Sequence, residues 1–252
     1  MTAAAGPRVV ALVQARMGSS RLPGKVLAPL GGVPLLQVIV ERVRAARTLG
    51  ALVIATTERP EDDAVAALAG GLGVACFRGA DGDCLDRLAR AARAHRADVV
   101  VRLTGDNPFV DGALVDRVVA ERAAAAPPWD YVGTSRSGTF PVGISAEVVA
   151  RAALDAAWRE ATAPADREHV TLWIVARPER FRVRHLAADT DDGDLRLTVD
   201  APEDLELARR VFDHFGHRRF PWREAVAAVR ARPEWAALNR HVAQRAPDGS
   251  AR

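Results

Sequence analysis

The residues best suited to chemistry lie in "QARMGSSRLPGKVL", Gln14 to Leu27, between the apolar run "VVALV" and the amphipathic stretch "VPLLQVIVERVRAA". Two arginines, two glycines, two serines and a lysine crowd a turn where a short strand-to-helix connection would do. A turn at the end of a first strand presents backbone N–H groups beside a helix N-terminus, a place that favours anions. Gly18 and Gly24 allow positive φ and close backbone approach. Ser19 and Ser20 add hydroxyl donors, and Arg16, Arg21 and Lys25 add positive charge. Lys25 is the only lysine in the chain, against 34 arginines. Arginine forks bidentately onto phosphate, whereas lysine is a compact point charge that can slip between phosphates. A single lysine kept in so arginine-rich a chain points to a phosphate geometry that a guanidinium does not fit. An ordinary solvated turn is the plain alternative. Neither GxxxxGK[ST] nor GxGxxG is present.

Such a loop needs a scaffold, and 252 residues, 49% of them hydrophobic, can supply it as a single α/β domain. "RVVALV" (8–13), "ALVIATT" (51–57), "VACFRG" (74–79) and "DVVVRLTGD" (98–106) are continuous apolar runs, as in strands buried on both faces. Helical periodicity follows each of them: from Leu35 to Arg47, over "RPEDDAVAALAGGLG", over "DCLDRLARAARAH", and near 111–126. Repeated βα units predict a Rossmann-like, doubly wound, mainly parallel sheet. The pattern breaks at "AAAAPPWDYV". From 129 to 188 the sequence predicts strands near 130–134 and 139–148, helices near 149–161 and over "DREHVTLWIVAR", and a strand at "FRVRHL". This segment is expected to interrupt the sheet as a lid or dimer arm. "LRLTVD" (195–200) then reads as a strand, and "APEDLELARRVFDHF" as a helix opened by Pro202 and three acids. The whole chain, 1–252, reads as one domain with a disordered polar tail at 246–252.

The formal charge is only +3, and the arginines are spread along the chain. Aromatics are 5% and no basic block appears, which argues against a nucleic-acid partner. Cys76 and Cys84 form no CxxC motif and no His/Cys cluster, as in inert thiols of a reducing compartment. "MTAAAGPR" lacks a basic n-region with a long apolar stretch, and no later run reaches membrane-spanning length. A cytoplasmic protein without membrane contact is expected.

"QARMGSSRLPGKVL" resembles the nucleotide-binding signature of the cytidylyltransferases that make CMP-activated acidic sugars, the superfamily of the sialic-acid and 3-deoxy-manno-octulosonate CMP-synthetases. Within it the resemblance is strongest to the spore-coat polysaccharide cytidylyltransferase group. It continues in collinear order through "FRGADGDCLDR", "VRLTGDNPFVD", "REHVT" and "RLTVDAPEDLEL", roughly 8–215. The resemblance implies a GT-A-like nucleotidyltransferase that couples CTP to an acidic acceptor. The products would be a CMP-linked sugar and pyrophosphate, with Mg²⁺, or Mn²⁺ in its place, as cofactor. It also implies a homodimer built through 129–188, an expectation supported by the apolar "HVTLWIV" beside an irregular strand pair.

Nucleotidyl transfer attacks the α-phosphorus and expels pyrophosphate, so catalysis is mostly positioning and charge neutralisation. By resemblance, Arg16, Arg21 and Lys25 hold the triphosphate, and Asp106 in "TGDNP" carries Mg²⁺ with Asp200 as a second carboxylate. Each aspartate precedes a helix, so an N-cap role is the alternative for both. Leu12, Gln14, Ala15, Gly18, Ser19, Ser20, Thr104 and Asn107 would line the nucleotide. So would Arg78, Asp83 and Arg87, although a surface arginine and a capping aspartate with a helical ion pair explain these three as well. Arg167, Glu168 and His169 in "REHVT" would face the acceptor, together with Arg136 and Glu147.

One departure bears on the acceptor. Spore-coat-type relatives read close to "YPDGLDVEV" where this chain has "FPVGISAEV", so Val142 and Ser145 replace two acids. Loss of negative charge there favours a compact anion, such as a small acidic sugar, a sugar phosphate or a phosphonate, over a polyhydroxylated nonulosonic acid. Two other function classes compete. A GT-A-like glycosyltransferase would want a DxD motif, which "DTDDGD" (189–194) offers within an acidic turn. A catalytically inactive nucleotide-binding homologue is opposed by the intact Arg21, Lys25, Asp106 and Asp200.

Overall fold

The computed structural model describes residues 6–244, so the tail expected at 246–252 lies outside the described residues. Strand β1 (Val9–Gln14) starts the chain's core, and the loop after it closes in a single 3-10 turn, Lys25–Leu27. A short hairpin, β2 (Pro29–Leu30) and β3 (Val33–Pro34), leads into α1 (Leu35–Val43). Then β4 (Ala51–Thr57), α2 (Asp63–Gly71), β5 (Ala75–Gly79), α3 (Cys84–Ala94), β6 (Val99–Thr104) and α4 (Gly112–Ala123) alternate as expected. After them come β7 (Tyr131–Gly133), β8 (Glu147–Ala150), α5 (Arg151–Glu160), α6 (Pro164–His169), α7 (Leu172–Val175), β9 (Val183–His185), α8 (Pro202–Phe215), α9 (Trp222–Arg230) and α10 (Pro233–Ala236).

Seven strands make the main sheet, in the order β5-β4-β1-β6-β8-β7-β9. The first four are parallel, with β1 central between β4 and β6. Its alternate side chains enter two cores. Val9, Ala11 and Val13 pack with α1, α4, α8 and α9, and Val10 and Leu12 pack with α3, α5 and α7. Burial on both faces is what the unbroken Val-rich runs require.

The 129–188 segment does not interrupt the sheet. Its strands form the sheet's other half, β8 pairing antiparallel with both β6 and β7, and β9 lying parallel to β7. The strand expected over 139–148 is reduced to Glu147–Ala150. Residues before it run irregularly, and "LRLTVD" contributes one bridge rather than a strand. Val142 N donates to Leu195 O at 2.9 Å, and Leu197 N to Val142 O at 2.6 Å. Gly143 makes this approach possible, because its φ is +101° and a Cβ there would lie 2.2 Å from Thr198 N.

The helix expected over "DREHVTLWIVAR" is broken at Val170, which has φ +60°. A β-branched residue is costly in that region, so packing must enforce it; Val170 is 1% exposed. Trp173 and Ile174 are buried with it in the core beside α3 and α5. The apolar run that suggested a dimer face is therefore covered within the chain itself. Among the described residues no helix is long and apolar enough to cross a membrane.

Candidate active site

At the carboxyl ends of β1 and β6 lies a cavity of about 660 Å³. The loop after β1 walls one side. Gly24 caps its 3-10 turn in the left-handed region, φ +71°, and Gly24 N donates to Met17 O at 2.9 Å. Buried Asp62 ties this loop to β4, accepting from Met17 N at 2.7 Å and from the Thr57 hydroxyl. The loop is thus held at both ends with its cations facing the cavity.

Lys25 Nζ donates to Asp106 Oδ2 at 2.8 Å and to Asp200 Oδ1 at 2.7 Å. Two residues 81 and 175 positions away meet on one ammonium. Burial alone would push the Lys25 pKa down, but Asp106 and then Asp200 outweigh it and hold the ammonium above its ordinary value. Burial likewise opposes charge on Asp200, yet Lys25, Arg21 and Arg196 keep its carboxyl below the usual range. Arg21 and Arg196 each reach Asp200 Oδ2 at 2.9 Å. Asp106 is less encumbered: among the described residues its second oxygen accepts only from Thr104 Oγ1, at 2.6 Å.

Neither aspartate caps a helix. Asp111 caps α4, accepting from Leu114 N at 2.9 Å, and Asp204 accepts from Ala201 N at 3.0 Å at the start of α8. Both side chains are thereby left to the cavity, with a buried cation between them. Among the described residues no group of three or more His, Cys, Asp or Glu side chains could hold a metal. Two carboxylates suit a hard cation that completes its shell with phosphate oxygens and water. A cation-rich loop, a bridging lysine and two carboxylates thus meet in one cavity at the carboxyl ends of β1 and β6.

Residues 10–229 match the family model described as cytidylyltransferase. The chain belongs to the cytidylyltransferase family. It is 37% identical over 217 residues to the spore coat polysaccharide biosynthesis protein SpsF of Bacillus subtilis, covering 83% of this chain and 88% of that one. It is 30% identical over 237 residues to the 3-deoxy-manno-octulosonate cytidylyltransferase of Anaeromyxobacter dehalogenans, covering 81% and 97%. A solved cytidylyltransferase from Leptospira borgpetersenii superposes with a TM-score of 0.88 at 30% identity, covering 91% of this chain and 97% of that one. The protein is a nucleotidyltransferase enzyme.

The cytidylyltransferase cavity is lined by most of the residues singled out from the sequence: Gln14, Ala15, Arg16, Gly18, Ser19, Ser20, Arg21, Lys25, Arg87, Thr104, Asp106, Asn107, Val142, Ser145, Glu168, His169 and Asp200. Six others lie elsewhere. Leu12 is fully buried in the core. Arg78 fastens the turn after β4, donating to Thr57 O and Arg59 O at 2.9 Å each and to Asp63 at 2.6 Å. Asp83 caps α3, accepting from Asp86 N at 2.8 Å, and also holds Arg167. Arg167 further donates to Trp158 O at 2.9 Å, so it braces α5 and α6 instead of facing an acceptor. Arg136 is exposed outside the cavity lining. Glu147 sits behind the cavity, 4% exposed, ion-paired with Arg102.

The sequence reading missed Arg102 and Arg196. Both stand inside apolar runs, "VVVRLT" and "LRLTVD", and a charge within a buried run must find a partner there. Arg102 lines the cavity. Arg196 joins Asp200 to Asp204 and donates to Gln244 at 2.5 Å. Gln244 also lines the cavity, and Ala243 O accepts from Arg21 at 3.2 Å. "DTDDGD" is an ion-paired turn: Arg117 and Arg223 hold Asp189, and Arg230 holds Asp192 and Asp194.

Proposed function

We propose that this enzyme transfers a cytidylyl group from CTP to a compact anionic acceptor and releases pyrophosphate. The observation that carries the reading is Lys25 Nζ lying between Asp106 and Asp200 in a cavity walled by the cationic loop. An acceptor oxygen attacks the α-phosphorus, and the bond to the β-phosphate oxygen breaks. Lys25 remains protonated through the neutral range, since its pKa is held above 10.5. Arrival of a triphosphate gives that ammonium an alternative to the two carboxylates. Its small radius lets it follow the leaving pyrophosphate, with Arg16 and Arg21 spreading the remaining charge. Arg16 is already turned towards the cavity by Asp81 at 3.5 Å and Glu168 at 3.3 Å.

Asp106 and Asp200 would hold Mg²⁺, or Mn²⁺ in its place, and Asp106 with fewer partners is the stronger candidate ligand. The bound cation would neutralise phosphate charge and orient the α-phosphate.

Val142 and Ser145 support a compact acceptor, because both line the cavity where the family resemblance expects acids. An apolar valine neither accepts from sugar hydroxyls nor repels an anionic group. Arg136 and Arg167 lie outside the cavity lining, so His169 and the cations of the cavity wall are the groups placed to meet the acceptor's charge. The test compares kcat/KM for a nonulosonic acid with that for small acidic sugars, sugar phosphates and phosphonates. The expected preference for the compact anion is on the order of 10²-fold or more. Efficient turnover of the nonulosonic acid would remove Val142 and Ser145 from the acceptor site.

A further inference from the structure

We propose that Gln14 reads the pyrimidine ring and selects CTP over UTP, its amide fixed in one orientation by Arg102 and Glu147. The inference rests on the cytidylyl-transfer reading and on the 142–145 segment as the acceptor end. Beyond the phosphate loop, the lining includes the irregular segment with Val142 and Ser145 and, on other elements, Gln14, Cys84, Arg87 and Arg102. With the acceptor at the 142–145 segment, we assign the base to the neighbourhood of Gln14 and Arg102, where two donors point into the cavity.

Gln14 Oε1 accepts from Arg102 Nε at 2.9 Å and from Cys84 Sγ at 3.5 Å. A guanidinium N–H can only donate, so the amide atom facing it must be the oxygen. Arg102 is itself fixed by its ion pair with buried Glu147. Glu147 is held in turn by Tyr131 Oη at 2.6 Å and Thr171 Oγ1 at 2.9 Å. The Gln14 NH₂ group therefore turns away from Arg102, and no described residue accepts from it. The second terminal nitrogen of Arg102 also has no partner among the described residues. Both side chains line the cavity, so two neighbouring donors are left for a ligand.

Cytosine offers two adjacent acceptors, N3 and O2. Uracil keeps O2 but carries a hydrogen on N3, so its N–H would meet the N–H of Gln14. A buried donor facing a donor loses its hydrogen bond on both sides, which sets discrimination on the order of 10²-fold. Without the Arg102 contact the amide could flip and serve uracil equally well. Arg102 and Glu147 are thus positioning residues for Gln14.

Calorimetric titration with CTP and with UTP measures the affinity ratio and needs no acceptor. The wild type should prefer CTP by roughly 10²-fold. Gln14→Glu should lower that ratio sharply or invert it, because a carboxylate accepts from uracil N3–H. Gln14→Met should bring the ratio near unity. Arg102→Lys keeps a charge opposite Glu147 but loses the rigid fork, and the ratio should fall severalfold while the melting temperature moves little. If Gln14→Glu fails to fold, Gln14→Met carries the test. An unchanged CTP-to-UTP ratio in the Gln14 variants overturns the proposal, and loss of acceptor-dependent turnover alongside that unchanged ratio would move Gln14 to the acceptor. A wild type that binds neither nucleotide overturns the cytidylyl-transfer reading itself, and this inference with it.

Discussion

Two charge clusters flank the cavity and differ in how they are built. Around Asp200, one carboxylate is shared by Lys25, Arg21 and Arg196, and the Asp106 side chain beside it is 26% exposed. Around Glu147, one carboxylate is enclosed by Arg102, Tyr131 and Thr171, with its side chain 6% exposed. The first cluster pairs Lys25, Arg21 and Arg196 with Asp106, Asp200 and Asp204 and opens onto the cavity. The second is closed around its carboxylate, whose partners are in place, and reaches the cavity only through Arg102. An arriving triphosphate can rearrange the first by offering its cations new partners. The largest losses of turnover should therefore come from the first cluster and the largest losses of stability from the second.

Asp106→Ala is the strongest way to break this division from the cavity side. It should lower kcat by about 10²-fold or more, because several kcal/mol of charge stabilisation are lost at the phosphates. Its melting temperature should stay close to wild type, since Asp106 caps no helix. A variant that melts early but turns over normally would assign Asp106 a purely structural role.

Glu147→Gln tests the closed cluster. It leaves the Arg102 guanidinium buried without a counter-charge, at a cost of about 3–5 kcal/mol. For a chain of this length that lowers the melting temperature by roughly 10 °C. The pH dependence sharpens the same point. Burial opposes charge on Glu147, but Arg102, Tyr131 and Thr171 hold its pKa below the ordinary 4.5. A depressed carboxylate stabilises fully above its unfolded pKa, and the stabilisation is lost as pH falls through the folded value. Wild type should therefore lose stability below about pH 4.5 more steeply than Glu147→Gln. Lys25 works at the opposite limb: its raised pKa stabilises fully below 10.5 and is lost as pH rises through the folded value. Parallel acid limbs in the two proteins would mean that Glu147 is not the group titrating.

The parallel half of the fold was legible because its signals are local. Each Val-rich run carries its own evidence of two-sided burial, and Pro-acid openings mark the helices that follow. Arg16, Lys25 and Asp106 follow the carboxyl ends of neighbouring parallel strands, which converge by topology, and Asp200 joins them from the segment before α8. The 129–188 half depends on pairing that no local pattern states. Whether 139–146 pairs along a strand or bends around Gly143 is decided by Leu197 and Thr198, more than 50 residues later. The break at Val170 opposes a continuous helical pattern and is held only by packing. Arg78, Asp83 and Arg167 show a further limit: motif residues at the right sequence positions can be spent on bracing the turns around a site. Arg102 and Arg196 were the missed signal, single charges inside buried runs.

Lys25 is expected to act by its shape as well as its charge, as a point cation between two carboxylates and a triphosphate. Acceptor-dependent pyrophosphate release from CTP by wild type and Lys25→Arg tests it most directly. A guanidinium keeps the charge but cannot fit the 2.7 and 2.8 Å contacts of Nζ with both carboxylates. Lys25→Arg should melt as a folded protein and lose most of its kcat/KM. A folded Lys25→Arg with near wild-type kcat/KM would contradict the claim.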